Sequence, residues 1–347
     1  MRNYILFGAG GLFALLIVGV VLVQANRSSI IASQIDRQVG NAVNAQQVND
    51  DVFEIIFCGT GSPQFQPDRG QPCTAIVAGG KLFVFDTGQG AAQRLQSTAA
   101  PFHRLTAVFL THLHSDHMSG LGDVLHNSWL YGRQQQVDII GPPGTERLRE
   151  GVAQAFQADL DERWNTLGSE YREADTSMGV GHNVLVEGDD LTIVYDTDGI
   201  TISAFRVEHP NWAHAYGYKF EYQGKSIVIS GDTRSAKNLI THSKNADILI
   251  HEALNVDMMQ TISGALRKHG GGIDPERMNL IISVHTPTDD LAKLATEAAV
   301  DRLVLTHLIP PIPANGFVEA EFTAGMGKLY KGDITVARDG MRIDLNQ

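Results

Sequence analysis

The run Thr111-His112-Leu113-His114-Ser115-Asp116-His117 directly follows the mostly apolar residues 105–110. Those apolar residues read as a buried strand, so the run is delivered at a strand end. In an extended chain alternate side chains share a face, which turns His112 and His114 the same way. The turn after them can swing Asp116 and His117 toward a second ion. Imidazole and carboxylate at such density suit Zn²⁺ or a similar first-row metal, and the lack of cysteine among them argues against a closed structural zinc site. The competing reading, a polar surface loop rich in histidine, has to explain four coordinating groups at this spacing behind a buried strand.

Three further strand ends carry one potential ligand each. Residues 200–207 alternate as a strand and end at Glu208-His209-Pro210. Residues 226–229 end at Ser230-Gly231-Asp232-Thr233, and residues 303–305 end at Thr306-His307. Open α/β sheets place their sites at the carboxyl ends of strands. The set His112, His114, Asp116, His117, His209, Asp232 and His307 is too large for one zinc and suits two. Asp232 is the natural bridge, since a carboxylate can give one oxygen to each ion. His214 lies close enough in sequence to compete with His209 for its place.

The remaining pattern alternates strands and helices, so the class is α/β. Residues 53–57 form a strand ending in Cys58-Gly59-Thr60-Gly61-Ser62-Pro63, and residues 74–78 and 82–85 form a hairpin around Gly79-Gly80. Asp86-Thr87-Gly88 stands at a strand end, a helix follows over residues 89–96, and residues 139–141 form another strand. Residues 145–198 differ in texture: 147–164 are helical in period and mixed in charge, and glycines punctuate the rest. This segment is either a lid over the site or a peripheral helix pair.

After the first fifty residues nothing resembles a linker, so residues 51–347 are expected to be one catalytic domain. The net charge of −12 gives no general basic surface of the kind that collects phosphates, and nucleic acid is not favoured as a partner. Residues 4–23 are apolar or glycine without a charge, flanked by Arg2 and Arg27, and are long enough to span a bilayer. Within residues 1–25 an uncleaved signal anchor competes with a signal peptide cut near Val23-Gln24-Ala25. Either way the chain is expected to be exported, membrane-anchored or periplasmic. Residues 26–50, rich in Gln, Asn, Ser and Ala, read as a polar linker. Cys58 and Cys73 either pair or remain two buried thiols.

The ordered series Thr111 to His117, then His209, Gly231-Asp232-Thr233 and Thr306-His307, resembles the metallo-β-lactamase superfamily over about residues 51–343. That resemblance implies an αββα sandwich with a dinuclear metal site at one edge. Phe57-Cys58-Gly59-Thr60-Gly61-Ser62-Pro63, Asp86-Thr87-Gly88, Gly141-Pro142 and His251-Glu252-Ala253 are similar to the branch holding ribonuclease Z and the metallo-β-lactamase-type arylsulfatases. The branch implies His112, His114 and His209 on one metal, Asp116, His117 and His307 on the other, and Asp232 between them. It also implies His285, in Val284-His285-Thr286-Pro287, as the acid for the leaving group and Asp116 as a partner of the bridging water. Asp86, His251 and Glu252 would support the site from behind the ligands. Thr286 can cap a helix beginning at Pro287 and so fix His285 just outside its start. A histidine so held can give a proton to a departing oxygen.

Two ions lower the pKa of a shared water and draw charge from a phosphorus or sulfur centre, so in-line attack can expel an alcohol or phenol. The expected activity is a dinuclear zinc hydrolase, with Mn²⁺ or Fe²⁺ also suited, that cleaves phosphodiester or sulfate-ester bonds of small molecules. Two departures set the chain apart from ribonuclease Z. Residues 210–231 leave no room for the protruding arm with which the tRNA-processing enzymes grip tRNA. The final ligand is followed by Leu308-Ile309-Pro310-Pro311 rather than an Arg-Tyr pair. tRNA 3′-processing therefore ranks second. A diiron redox protein on the same fold ranks third, because flavodiiron proteins place a glutamate where His114 stands. An inactive binding module is opposed by the intact ligand set. The expected partners are a small ester substrate, a membrane through the N-terminal segment, and a second copy of the chain.

Overall fold

A computed structural model describes residues 24, 26–46, 50–167, 176–270 and 276–346. The chain divides into two units, Met1–Val48 and Asn49–Gln347. In the first, Arg27–Gln46 is a helix where a polar linker was read from composition. It contains no proline and one glycine, and its Gln, Ala, Arg and Ile residues are adequate helix formers.

Among the described residues the second unit is built from two seven-stranded sheets. One contains β1 (Glu54–Gly59), β2 (Cys73–Ala78), β3 (Lys81–Phe85), β4 (Leu105–Phe109), β5 (Asp138–Gly141) and β6 (Val180–Asn183) in that order, with β14 (Arg342–Asp344) beside β1. The other runs in sequence order from β7 (Thr192–Thr197) through β8 (Ile200–Arg206), β9 (Tyr216–Tyr222), β10 (Lys225–Ile229), β11 (Ile248–Leu254) and β12 (Arg302–Ile309) to β13 (Asp333–Val336). β3, β4, β5 and β6 are parallel, as are β10, β11, β12 and β13. β8 and β10 each pair antiparallel to β9, so they too point the same way. The carboxyl ends of β8, β10 and β12 therefore open at one edge of their sheet.

Packing follows from the two-residue period of the strands. Ile248 and Ile250 of β11 and Val304 of β12 face the core between the sheets, with Phe57, Phe83, Phe85 and Phe109 from the opposite layer. Leu249, Leu303 and Leu305 face outward, against Leu239, Leu291, Leu294 and Met326 of the covering helices. With both faces covered, these strands read as continuous apolar runs. Phe83 meets Phe220 edge-on across the two layers, ring centroids 5.6 Å apart. The architecture is thus the αββα sandwich that the resemblance implied.

Cys58 and Cys73 form a disulfide with Cα atoms 4.9 Å apart, which resolves the open alternative. Residues 210–231 are used up by a short loop, β9, a tight turn and β10. Gln223 and Gly224 both take positive φ, 50° and 75°, as a two-residue hairpin with the right twist requires. Of residues 145–198, Thr145–Leu167 is a helix, and Asn183 Oδ1 accepts the amides of Gly144 and Glu146 at its start, at 2.9 and 3.2 Å. β6 and β7 are the outermost strands of their sheets.

Candidate metal centre

The site begins with Asp86. It closes β3 with a left-handed φ of 58°, which a short polar side chain tolerates. Its amide is tied to Phe109 O of β4 at 2.8 Å, which sets its carboxylate under the turn after β4. Oδ1 accepts the amide of Thr111 at 2.8 Å, and Oδ2 lies 2.9 Å from Thr111 Oγ1 and 2.8 Å from His117 Nδ1. A carboxylate only accepts, so Nδ1 of His117 carries a proton and Nε2 is the edge turned inward. Burial opposes a charge on His117, yet Asp232, Asp86 and Asp116 hold its pKa well above the ordinary value. A field that retains a proton there also favours a cation.

A single helical turn, Ser115–Met118, then carries Asp116 and His117 into the interior, where both are buried. His112 Nε2 and His114 Nδ1 approach to 2.8 Å, and His209 Nε2 stands 3.4 Å from the same His114 atom. His209 Nδ1 lies 3.3 Å from Val284 O, which orients its ring with Nε2 toward the centre. Burial lowers the pKa of His112, His114 and His209, so these rings are held neutral with lone pairs to share.

Two backbone irregularities aim the last donors. Gly231 has φ 62°, and a Cβ there would meet Thr111 Cβ and Tyr216 O at 2.8 Å. Only glycine lets the chain turn this close, and the turn points Asp232 inward. On β12 the pairing with β11 slips between Glu252 and Ala253, opposite Thr306 and Leu308, which leaves His307 as the extra residue. Its φ of 43° and this bulge re-aim the side chain toward the site. His307 Nε2 lies 3.3 Å from Asp116 Oδ2 and 3.4 Å from Asp232 Oδ2.

The expected residues come together in overlapping groups: His112, His114, His209 and Asp232; Asp116, His117 and His307; and Asp232, His285 and His307. Within each group one ligand atom per residue lies within 4.8 Å of the others. His214 is in none of these groups among the described residues. His117 Nε2 and Asp232 Oδ1 are buried 3.3 Å apart, and neither has a hydrogen-bond partner. Buried polar atoms without partners are rare and need a reason. Converging imidazole and carboxylate lone pairs fit a divalent cation.

Beside the donors, His285 Nδ1 lies 3.2 Å from Glu252 Oε1, which also accepts the amide of Thr286 at 2.9 Å. Burial pulls the pKa of His285 down, but the charge and hydrogen bond of Glu252, with Asp232 behind it, push it up to about 9. The helix cap expected from Thr286 is not made. The helix is Thr288–Glu297, and the Thr286 hydroxyl donates to Thr233 O at 2.7 Å, because the buried carbonyl is the nearer need. That bond still anchors His285, to the loop after Asp232 instead of to a helix. His251 is fully buried within β11, its Nδ1 2.5 Å from Glu252 O. Sequence reasoning missed Trp212, whose indole nitrogen donates to His114 Nε2 at 2.6 Å. A lone tryptophan in a loop gives no periodic signal.

Residues 82–308 match the β-lactamase superfamily domain. The chain is 31% identical over 298 residues to ribonuclease Z of Mycobacterium bovis, covering 85% of this chain and 99% of the relative, and 30% identical over the same length to ribonuclease Z of Mycolicibacterium paratuberculosis. In fold it is similar to the short form of human tRNase Z, with TM-score 0.58 and 23% identity over 84% of this chain and 98% of that one. It is also similar to a metallo-β-lactamase fold protein of Bacillus subtilis, with TM-score 0.56 and 18% identity over 85% of this chain and 100% of that one.

These relatives correct two expectations. Nucleic acid cannot be set aside as a partner on net charge, since proteins matching 85% of the chain are ribonucleases. A total charge averages over the whole surface and does not describe the field at one cleft. The expected export or membrane anchorage is overturned by the same ribonuclease Z relatives. Among the described residues no helix is long and apolar enough to cross a membrane, and residues 4–23, on which that expectation rested, lie outside them.

Proposed function

We propose, from the premise that the chain belongs to the metallo-β-lactamase superfamily in the branch that includes ribonuclease Z, that it is a metal-dependent hydrolase cleaving phosphodiester bonds of RNA in the tRNA 3′-processing manner. One observation carries the reading. The candidate donors converge from strand ends of both sheets, with His285 inside the cluster beside Asp232 and His307. A site that only stored metal would not need a histidine held in its protonated form by a buried glutamate.

His112, His114 and His209 would hold one ion and Asp116, His117 and His307 the other, with Asp232 between; zinc suits this imidazole-rich set. When bound, such a pair would supply hydroxide near neutral pH and draw charge from a phosphoryl oxygen. Asp116 accepts a hydrogen bond from the attacking water, and Asp86 keeps His117 in register through its Nδ1 proton. His285 gives its proton to the departing ribose oxygen, with Glu252 holding the opposite side of its ring. His251 stiffens β11 beneath Glu252. The hairpin between β9 and β10 leaves no protruding arm, so RNA is gripped by other surfaces. Sulfate esters would draw on the same water and acid, and the ribonuclease relatives favour phosphorus.

The test sets zinc-loaded protein against a precursor tRNA with a 3′ trailer, bis-p-nitrophenyl phosphate and p-nitrophenyl sulfate. Endonucleolytic cleavage of the precursor, lost in Asp232→Ala, is the expected result. Turnover of the sulfate ester with the RNA left intact would refute the reading.

A further inference from the structure

Resting on the RNA reading above, we propose that Phe65 and Phe317 form a stacking rim beside the candidate metal centre, on which bases flanking the scissile phosphodiester lie. The two are the most exposed large apolar side chains among the described residues, 88% and 84% exposed. A lone apolar side chain at a surface is common and needs no reason. These two are tied to one buried arginine and to the strand that carries His307.

Phe65 stands in the loop between β1 and β2, and that loop is a fixed structure. Gly61 N donates to Gly70 O at 2.7 Å, and Arg69 N donates to Gln66 O at 3.2 Å, closing a turn with Pro67 at the position that suits it. Both ends of the loop are fastened beside the site. Leu308, the residue after His307, donates its amide to Thr60 O at 3.3 Å, and Gly88, two residues after Asp86, donates to Pro72 O at 2.9 Å. Phe65 is five residues from Thr60, so its backbone stays within roughly 17 Å of that anchor even when fully extended.

Phe317 lies in the first turn of the helix Gly316–Phe322, which starts soon after β12 ends. Asn315 Oδ1 caps that helix by accepting the Phe317 amide at 2.9 Å. The buried guanidinium of Arg69 joins helix and loop: Nε donates to Ile312 O at 2.9 Å, and Nη2 donates at 2.6 Å to Oε1 of Glu319, two residues beyond Phe317. The backbone beneath each ring is thus held in place, so little freedom is lost when a flat partner covers it. Every nucleobase has a π-face, which makes such stacking tolerant of sequence and suited to a single-stranded 3′ trailer. A site without a protruding arm gains a hold on the strand here.

Cleavage of a precursor tRNA and hydrolysis of bis-p-nitrophenyl phosphate are measured for zinc-loaded Phe65→Ala, Phe317→Ala and Phe65→Tyr. Each alanine should raise KM for the precursor about 5- to 100-fold, the range for one lost base stack, and change turnover of the small diester by less than about 2-fold. Phe65→Tyr, which keeps a ring, should behave as the unaltered protein. Abasic riboses placed singly beside the cleavage site should reproduce the loss of Phe65→Ala at one position, and there the two losses should not add. Alanine variants that leave KM for the precursor unchanged, or abasic losses that add in full at every position, overturn the inference with the RNA reading intact. A shifted monomer–dimer equilibrium in sedimentation, with RNA kinetics unaltered, also overturns it and gives the face to a second copy. Failure of the unaltered protein to cleave the precursor while it hydrolyses the small diester overturns the RNA reading and the inference with it.

Discussion

Glu252 holds His285 by its inner nitrogen, Oε1 to Nδ1 at 3.2 Å, with both side chains nearly withdrawn from solvent. The same oxygen is fixed by the Thr286 amide, so the pair is rigid as well as charged. A histidine placed this way keeps its proton through neutral pH, which an exposed one does not.

The first expectation concerns pH. Burial lowers the His285 pKa and the Glu252 carboxylate raises it further, to about 9, so the acid form is present below that value and lost above it. Turnover of a substrate with a poor leaving group should therefore fall on an alkaline limb, at or below pH 9 because nearby cations disfavour the proton. Glu252→Gln removes the charge that supports the proton and should move the limb down by about one pH unit or more. A limb that stays in place in Glu252→Gln assigns it to another group.

His285→Ala should keep its metal, yet lose about 10²- to 10⁴-fold in rate on RNA or an alkyl phosphodiester, the usual scale of general-acid catalysis. On a nitrophenyl ester the loss should be much smaller, since nitrophenolate departs without a proton. Equal losses on both substrates would make His285 a positioning residue.

Removing a donor should remove metal. Asp232→Ala and His117→Ala are each expected to abolish hydrolysis and to lower the bound metal measured by elemental analysis. A variant that retains full metal and full turnover takes its residue out of the site.

The disulfide closes a loop of sequence separation 15 between neighbouring strands. Replacing Cys58 and Cys73 together by serine should lower unfolding stability by about 3 kcal/mol, the loop-entropy value for that length. Urea denaturation gives the measurement, and no change in midpoint would mean that the strand pairing already supplies the constraint.

The clustering of the candidate donors was legible because chemistry and period coincide: four stand in one run after a buried strand, and three others each follow an apolar strand. What was not legible depends on contacts distant in sequence. Trp212 meets His114 across 98 positions. Arg69, fully buried, donates to Thr60 Oγ1, Ile312 O and Ala337 O, and its loop position gives no hint of that. The bulge that aims His307 is a shift of one residue in a ladder, which leaves no mark on composition. Thr286 resembled a helix cap because Pro287 follows it, but a buried carbonyl at Thr233 took its hydroxyl. The polar composition of residues 26–50 concealed a helix because helix propensity there is ordinary throughout.

Four candidate donors, His112, His114, Asp116 and His117, follow β4 of one sheet; His209 and Asp232 follow β8 and β10 of the other, and His307 lies within β12. Neither layer owns a complete coordination set, so each ion would rivet the two together. Metal should then bind the folded chain far better than the unfolded one, and chelation should lower the melting temperature in calorimetry. It should also expose the seam between the layers to protease. Scarcity of metal in a cell would then be felt as faster loss of the protein itself, beyond the idling of its sites.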